Sequence, residues 1–298
     1  MPRPLLTPPS FKAALAEQVR KTATRSRRDE TFVRQDLLMD RYLARLGAVA
    51  GERLTLRGGR ALDLRLGHTR NVRDPEVTLD APDAAVLDVL VAATRQDLGD
   101  YFVFTVREVL DPPNHIAEGM RVPIQRYRLD ARLAGVPWGD PFGLDVYRPE
   151  PGAGAAERRP GSEILSFGGV ARSDHRVLSM ASHVADAIHF YTLGPPTRHP
   201  RVWDLPDLAQ LATTGPVSGD EVQEAIRLLF AHRGTHTPPD KVPPFPAAWV
   251  PHAERLMRDE RIPWRNVDEL VDLAGTFIGP ILAGGRGMWN PGTWRWEA

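Results

Sequence analysis

The sequence predicts an α+β protein, and three observations carry that prediction. Short segments that alternate apolar and polar residues occur before residue 150, a stretch rich in proline, glycine and alanine follows, and the remainder has helical apolar spacing broken by proline-rich turns. The 298 residues are 42% hydrophobic and 26% charged, as in an ordinary globular protein. We therefore predict a mixed sheet with flanking helices, followed by a helical C-terminal domain.

The first half begins with two predicted helices and then alternates strands with helices. Residues 11–21 follow Ser10, a suitable N-cap, and residues 32–46 repeat apolar side chains at helical spacing. The further predicted elements, in order, are strand 53–57, helix 60–66, strand 73–79 with Pro75 inside it, helix 83–94, strand 101–109, and a hairpin-like pair of strands, 126–133 and 142–147. We assign residues 1–150 to this α/β domain with its N-terminal helices.

The second half is predicted to be helical. Residues 151–168 are assigned to a linker or long loop, and residues 169–298 to a helical domain. The predicted helices within this half span residues 178–192, 205–213, 220–232, 249–258 and 267–282.

The composition argues against a membrane protein, a disulfide-bonded protein and a strongly basic nucleic-acid-binding protein. No apolar run approaches the ~20 residues of a membrane helix, and the start has no apolar signal-peptide core, so we expect a cytoplasmic protein without a membrane partner. The absence of cysteine excludes disulfides and thiolate metal sites. The formal net charge is zero, so only a local basic patch would attract nucleic acid. Lysine occurs only at positions 12, 21 and 241, which leaves few positions for a catalytic lysine.

One segment, residues 54–76, has the pattern of a phosphate-handling site. A strand leads into the Gly58-Gly59 turn, which opens a helix and presents backbone N–H groups suited to phosphate. The following strand carries Asp74 and Glu76, whose i, i+2 spacing predicts that both side chains face one way. A third acid, Asp145, lies between apolar residues of another predicted strand. Three carboxylates beside a glycine turn suit Mg²⁺ and phosphoryl or nucleotidyl transfer.

The same residues also allow a simpler interpretation. A Gly-Gly turn is common, and an acidic pair on a strand is usually a solvated face. From these residues alone, the metal site remains one of two open interpretations.

Five sequence blocks resemble the AbiEii/AbiGii (MenT-like) nucleotidyltransferase toxin family of the DNA-polymerase-β-like superfamily. They are LRGGRALDLRLG at 56–67, RNVRDPE at 70–76, LDARLAG at 129–135 followed by LDV at 144–146, VADAIHFYT at 184–192, and RVWDLPDL at 201–208. Their order and rough spacing match the family from about residue 8 to residue 282.

The resemblance implies a polymerase-β-like core and an enzyme that moves a nucleotide from an NTP to an acceptor, which for some members is the 3′ end of tRNA. It also implies the toxin of a two-gene toxin–antitoxin pair linked to phage defence and abortive infection, with a cognate antitoxin as partner. The implied catalytic residues are Asp74, Glu76, Asp145 and Asp204, of which the first three are the implied Mg²⁺ ligands. The implied nucleotide-binding residues are Arg57, Gly58, Gly59 and Arg70.

Three positions depart from the family pattern. Arg57 stands where the family has a lysine, Glu76 where it has an aspartate, and Ala187 where it has a lysine expected to hold the triphosphate. Three hypotheses therefore remain: an active Mg²⁺-dependent nucleotidyltransferase toxin with an altered site, a catalytically impaired relative that binds a nucleotide, an RNA or an antitoxin, and an unrelated α/β protein with chance similarity.

Overall fold

An eight-stranded mixed sheet lies at the centre of the structure, a computed structural model that describes residues 7–67, 71–109, 124–152, 154–193, 202–259 and 262–298. The strands of the sheet are β1 (Leu54–Arg57), β2 (Glu76–Leu79), β3 (Phe102–Glu108), β4 (Ile124–Leu133), β5 (Val136–Pro137), β6 (Phe142–Tyr147), β7 (Glu157–Pro160) and β8 (Asp174–Val177). The helices are α1 (Pro8–Ser26), α2 (Glu30–Ala50), α3 (Gly58–Leu66), α4 (Asp83–Thr94), α5 (Met180–Thr192), α6 (Asp204–Leu211), α7 (Gly219–Arg233), α8 (Val250–Asp259) and α9 (Val267–Leu282).

The strand order places three strands of the candidate site side by side. The order is β3–β4–β6–β2–β1–β8–β7, with β5 paired to β4. β2 is parallel to β6 and antiparallel to β1, while β1 is parallel to β8. The predicted hairpin-like pair is present, because β4 and β6 are antiparallel neighbours.

The two faces of the sheet meet different halves of the chain. Leu54 and Leu56 of β1 are buried in a core shared with α1, α2 and α4, and full burial of one leucine stabilises the fold by about 1.5–3 kcal/mol. The alternate residues Thr55 and Arg57 point to the opposite face. There Arg57 meets α5, so this polar face lies against the helical half.

The two-residue strand β5 lies in the connection of the predicted hairpin-like pair and was not predicted as a strand. The strands β7 and β8 were also not predicted, because they fall in the stretches assigned to the linker and to the start of the helical half. Their sequences, ERRP and DHRV, are short and charged, without apolar alternation. Polar contacts hold β8 instead: the buried Asp40 carboxylate of α2 lies 2.8 Å from Nε2 of His175 and accepts a hydrogen bond of 2.9 Å from Ser173. Such pairing is not visible in a hydropathy pattern.

A small three-stranded sheet anchors the C-terminal segment. It consists of β9 (Val217–Ser218), β10 (Met288–Asn290) and β11 (Arg295–Glu297) in the order β11–β10–β9. The ring of Trp296 stacks on Phe277 of α9 at 5.9 Å, and its Nε1 donates to the Phe277 carbonyl at 2.9 Å. The tryptophans near the end therefore bind this segment to the helical half.

The predicted α+β class is confirmed, with a mixed sheet, flanking helices and a helical C-terminal region. No helix within the described ranges combines the length and apolar character needed to cross a membrane.

Candidate active site

Four charged side chains form a row across one face of the sheet. Register pairs Arg57 with Glu76, Glu76 with Asp145, and Asp145 with Arg126. Side chains of directly paired residues point to the same face of a sheet. Two of the sequence-predicted acids, Glu76 and Asp145, are therefore adjacent, and an arginine flanks them on either side.

Asp74 lies next to this row but outside the strand on which it was predicted. The strand was expected to begin at residue 73, whereas β2 begins at Glu76, so Asp74 lies in a bend before the strand. Pro75 lacks an N–H for the ladder, although its carbonyl still accepts from Asp145 N at 3.1 Å. The Asp74 Oδ1 accepts from the backbone N–H of Gly143 at 2.7 Å. Its position depends on this contact rather than on strand alternation.

Arg126 of β4 neutralises the carboxylates beside it. Its Nε and Nη2 donate to the two oxygens of Asp145 at 2.6 and 2.7 Å, and Nη2 lies 3.5 Å from Asp74 Oδ2. The hydrogen bonds that Arg126 donates to Asp145 are the largest cause that raises the pKa of Arg126 above its ordinary value. Both Asp145 oxygens are thus occupied by a guanidinium in a bidentate pair.

Gly58 and Gly59 directly follow β1 and are the first two residues of α3, which begins two residues earlier than predicted. Gly58 has a φ of 57°, which favours glycine, and a Cβ at this position would lie 2.9 Å from the Glu76 carboxylate. Glycine is therefore required both by the backbone and by the close approach of Glu76. The turn opens α3, whose first N–H groups lie at the same edge as the carboxylates.

Arg57 belongs to a buried cluster of four charges. Its guanidinium donates to Glu150 at 2.8 Å and to Asp186 of α5 at 2.7 Å. Arg233 of α7 donates to the same two carboxylates, at 2.7 Å in each case. Burial alone would raise the pKa of Asp186, but the charges of Arg57 and Arg233 hold it below the ordinary value. Arg57, predicted to bind nucleotide, thus has its guanidinium committed to protein carboxylates.

His189 extends this cluster as a neutral side chain. Arginine can only donate, so the 3.0 Å contact with Arg233 makes His189 Nδ1 the acceptor and leaves the proton on Nε2, which faces Thr235 Oγ1 at 2.8 Å. Burial and the Arg233 charge lower the pKa of His189 to about 3. The histidine therefore packs and orients rather than titrates near neutral pH.

Position 187, where the family pattern has a lysine, carries an uncharged alanine. Ala187 is half-buried and packs against the helical core. The adjacent Asp186, however, accepts a hydrogen bond from Arg233, which lies at the end of α7, 47 residues further along the chain. Sequence reasoning missed Arg233, Glu150 and Asp186, since no local pattern links residues so distant. The contact of Arg126 with Asp145 could have been predicted from the sequence, because both are polar positions that alternate with apolar residues in the predicted hairpin-like pair.

The remaining predicted residues are placed as follows. Asp204 is buried at the start of α6, and burial together with the Asp204 charge raises the pKa of Tyr191 to about 12. Asp204 therefore lies close to α5, and its catalytic role stays a prediction. Gly59 is buried in the first turn of α3. Arg70 lies outside the described residues.

The carboxylates have the ligand chemistry that a divalent metal prefers, but their side chains are not placed around a common metal position. Asp74, Glu76 and Asp145 supply the oxygen ligands that Mg²⁺ prefers. Within the part of the chain that the structure describes, however, no three acidic or histidine side chains are placed to share one ion. Arg126 contacts two of the three acids, Asp74 and Asp145, and balances part of their charge.

A cavity of about 310 Å³ adjoins this row on the same face of the sheet. Its walls include Thr55, Arg57, Thr78, Ser182 and Asp186, so it lies between the sheet and α5. Ligand sites commonly occupy such clefts between halves of a protein.

The fold of one solved structure agrees with this architecture. No curated protein matches the chain. The solved structure of MenT4, a nucleotidyltransferase toxin from Mycobacterium tuberculosis H37Rv, superposes with a TM-score of 0.52 at 19% identity, covering 95% of this chain and 100% of that one. JHP933 from Helicobacter pylori gives a TM-score of 0.45 at 13% identity, covering 85% and 91%.

The likeness to MenT4 shows a shared fold, and the family follows from the sequence. The profile described as nucleotidyl transferase AbiEii toxin, type IV toxin–antitoxin system, matches residues 41–272. That match spans most of the 298 residues and contains the whole charged row. This chain therefore belongs to the AbiEii nucleotidyl transferase toxin family of type IV toxin–antitoxin systems.

Proposed function

We propose that this chain transfers a nucleotide from an NTP to an RNA acceptor with Mg²⁺, and that a cognate antitoxin counteracts it. tRNA is the acceptor we favour, because the resemblance of the sequence blocks to the family implies it. The observation that carries the proposal is the alignment of Glu76 with Asp145 on adjacent strands, at the edge where the Gly58 turn opens α3.

The proposed reaction develops negative charge on phosphate oxygens, and catalysis depends on fixed positive charge and positioning. Asp74, Glu76 and Asp145 would hold Mg²⁺, which supplies positive charge to those oxygens when bound. The backbone N–H groups at Gly58 and Gly59 are suited to phosphate, because a helix N-terminus presents unpaired donors. Asp204 would add an acid from the helical half.

A second function is favoured by the ion pairs of the site. The guanidinium of Arg57 is buried against Glu150 and Asp186, that of Arg126 is held by Asp145, and Ala187 provides no charge. In this alternative the protein is a catalytically impaired relative that acts by binding a nucleotide, an RNA or the antitoxin.

Transfer of radiolabel from each NTP to total tRNA, with Mg²⁺, separates the two functions. The variants are Asp74→Ala and, as a matched control, Asp272→Ala, which removes an exposed acid of α9. We expect wild-type transfer, weak in rate, that falls by a factor of about 100–1000 in Asp74→Ala and is unchanged in Asp272→Ala.

Other outcomes decide against the proposal in distinct ways. Transfer that survives Asp74→Ala would refute the assigned site. An absence of transfer in every protein, with NTP binding retained in equilibrium dialysis, would favour the impaired relative.

A further inference from the structure

Arg126 occupies the space between two carboxylates that the proposed function assigns to a metal. Its guanidinium binds both oxygens of Asp145 and lies 3.5 Å from Oδ2 of Asp74. The side chains of Arg126 and Asp145 are each only 13% exposed. A bidentate pair shielded from water in this way is stronger than a typical surface ion pair.

A metal ion and this guanidinium compete for the same oxygen atoms. Mg²⁺ requires ligand oxygens at about 2.0–2.1 Å in near-octahedral geometry. A guanidinium nitrogen 2.6 Å from Asp145 Oδ1 already uses that oxygen and repels a second cation by its charge. Binding of a metal to Asp145 and Asp74 is therefore disfavoured while Arg126 stays in place.

We propose that Arg126 is a tethered counter-ion that holds the metal position in the resting protein and exchanges with a divalent cation. This inference rests on the proposed function for the assignment of Asp74 and Asp145 as metal ligands. The displaced guanidinium remains attached to β4, on the same face as the carboxylates, where a phosphate of the NTP is its natural new partner. Arg126 thereby couples metal binding to phosphate binding.

The same strand provides a matched control. Arg128 lies two residues further along β4, on the same face, and is exposed. Its register partner on β6 is Gly143, which has no side chain to pair with. Loss of Arg128 removes the same charge from the same face without opening Asp145.

The test is the affinity for Mn²⁺, measured calorimetrically without nucleotide at fixed pH and ionic strength. The proteins are the wild type, Arg126→Gln, Arg128→Gln, and Arg126→Gln combined with Asp145→Asn. We expect Arg126→Gln to bind Mn²⁺ at least about tenfold more tightly than the wild type, since a competing part-buried, bidentate ion pair is removed. Arg128→Gln should stay within about twofold, because exposed charges are screened. The double variant should lose the gain.

Three results would overturn the proposal: equal Mn²⁺ affinity of the wild type and Arg126→Gln, including no binding by either; an equal gain in Arg128→Gln; or a gain that survives Asp145→Asn. If Arg126→Gln does not fold, Arg126→Lys replaces it, with an expected gain of about threefold because lysine keeps the charge but loses the bidentate geometry. An unchanged affinity in that variant would also overturn the proposal.

The readout is independent of catalysis. A protein that shows this exchange but transfers no nucleotide would contradict the proposed function alone. A protein that transfers nucleotide with unchanged Mn²⁺ affinity in Arg126→Gln would contradict the exchange alone.

Discussion

Arg57 and Asp186 are 129 positions apart in the chain, and their side chains form a buried ion pair with Nη2 and Oδ1 2.7 Å apart. The pair joins β1 of the sheet to α5 of the helical half. Asp186 also binds Arg233, so one carboxylate balances parts of two guanidiniums. The contact between the two halves of the molecule therefore depends on this charge as well as on apolar packing.

Neutralising Asp186 should destabilise the protein strongly. Asp186→Asn leaves two buried guanidiniums with one carboxylate, Glu150, and breaking a buried pair in this way costs about 3–5 kcal/mol. The free energy of unfolding in urea measures the loss. Asp220→Asn is the control, because its pair with Arg286 is exposed and should change stability by less than about 1 kcal/mol. Equal effects of the two substitutions would contradict the structural role of the cluster.

The free energy of unfolding should decrease as the pH is lowered, partly because of His189. Its pKa in the folded protein is about 3, against 6.5 unfolded, so the unfolded state binds more protons between these values. Stability from this group is therefore present above pH 6.5 and is lost as the pH falls towards 3. Between pH 7 and pH 5 the wild type should lose about 2 kcal/mol more than His189→Gln. Urea unfolding at both pH values tests this, and parallel losses would show that His189 titrates normally.

Lysine at position 187 should increase nucleotide transfer. Ala187 follows Asp186 on α5, and one preorganised positive charge commonly contributes a factor of about 100–1000 to such reactions. We expect Ala187→Lys to raise the initial rate at least about tenfold in the transfer assay. Ala84→Lys, on the exposed first turn of α4, adds the same charge elsewhere and should leave the rate unchanged. Unchanged transfer by Ala187→Lys would show that this lysine is not needed here.

Two glycine substitutions should have opposite effects on stability. Gly58→Ala meets a positive φ and the Glu76 carboxylate at 2.9 Å, so we expect a loss of about 1–3 kcal/mol. Gly47 lies inside α2 with nothing within 4 Å of its added Cβ, so Gly47→Ala should stabilise by about 0.5–1 kcal/mol. Urea unfolding of both variants measures the difference. A stable Gly58→Ala protein would contradict the close approach of Glu76.

Local patterns were sufficient to predict much of the fold. The strand, Gly-Gly turn and helix at 54–66 follow from period-two alternation and turn chemistry, and both are properties of neighbouring residues. The pairing of Asp145 with Glu76 was only inferred, because register between strands depends on distant segments. The buried pairs of Arg57 and Arg233 could not be predicted, since their partners lie on other helices and loops. β7 and β8 were missed because short, charged strands lack apolar alternation.

The parallel pairing of β1 with β8 also affects how the protein assembles during synthesis. β1 can pair with β2 early, because β2 is antiparallel to it and near in sequence. Its other neighbour, β8, can pair only after residue Val177 has been synthesised. Contacts of such long sequence separation form slowly, since a long loop must close first. A nascent chain therefore carries Arg57 without Asp186 until α5 emerges, and without Arg233 until α7 follows. The charged centre of this toxin matures late, after most of the polypeptide has been made.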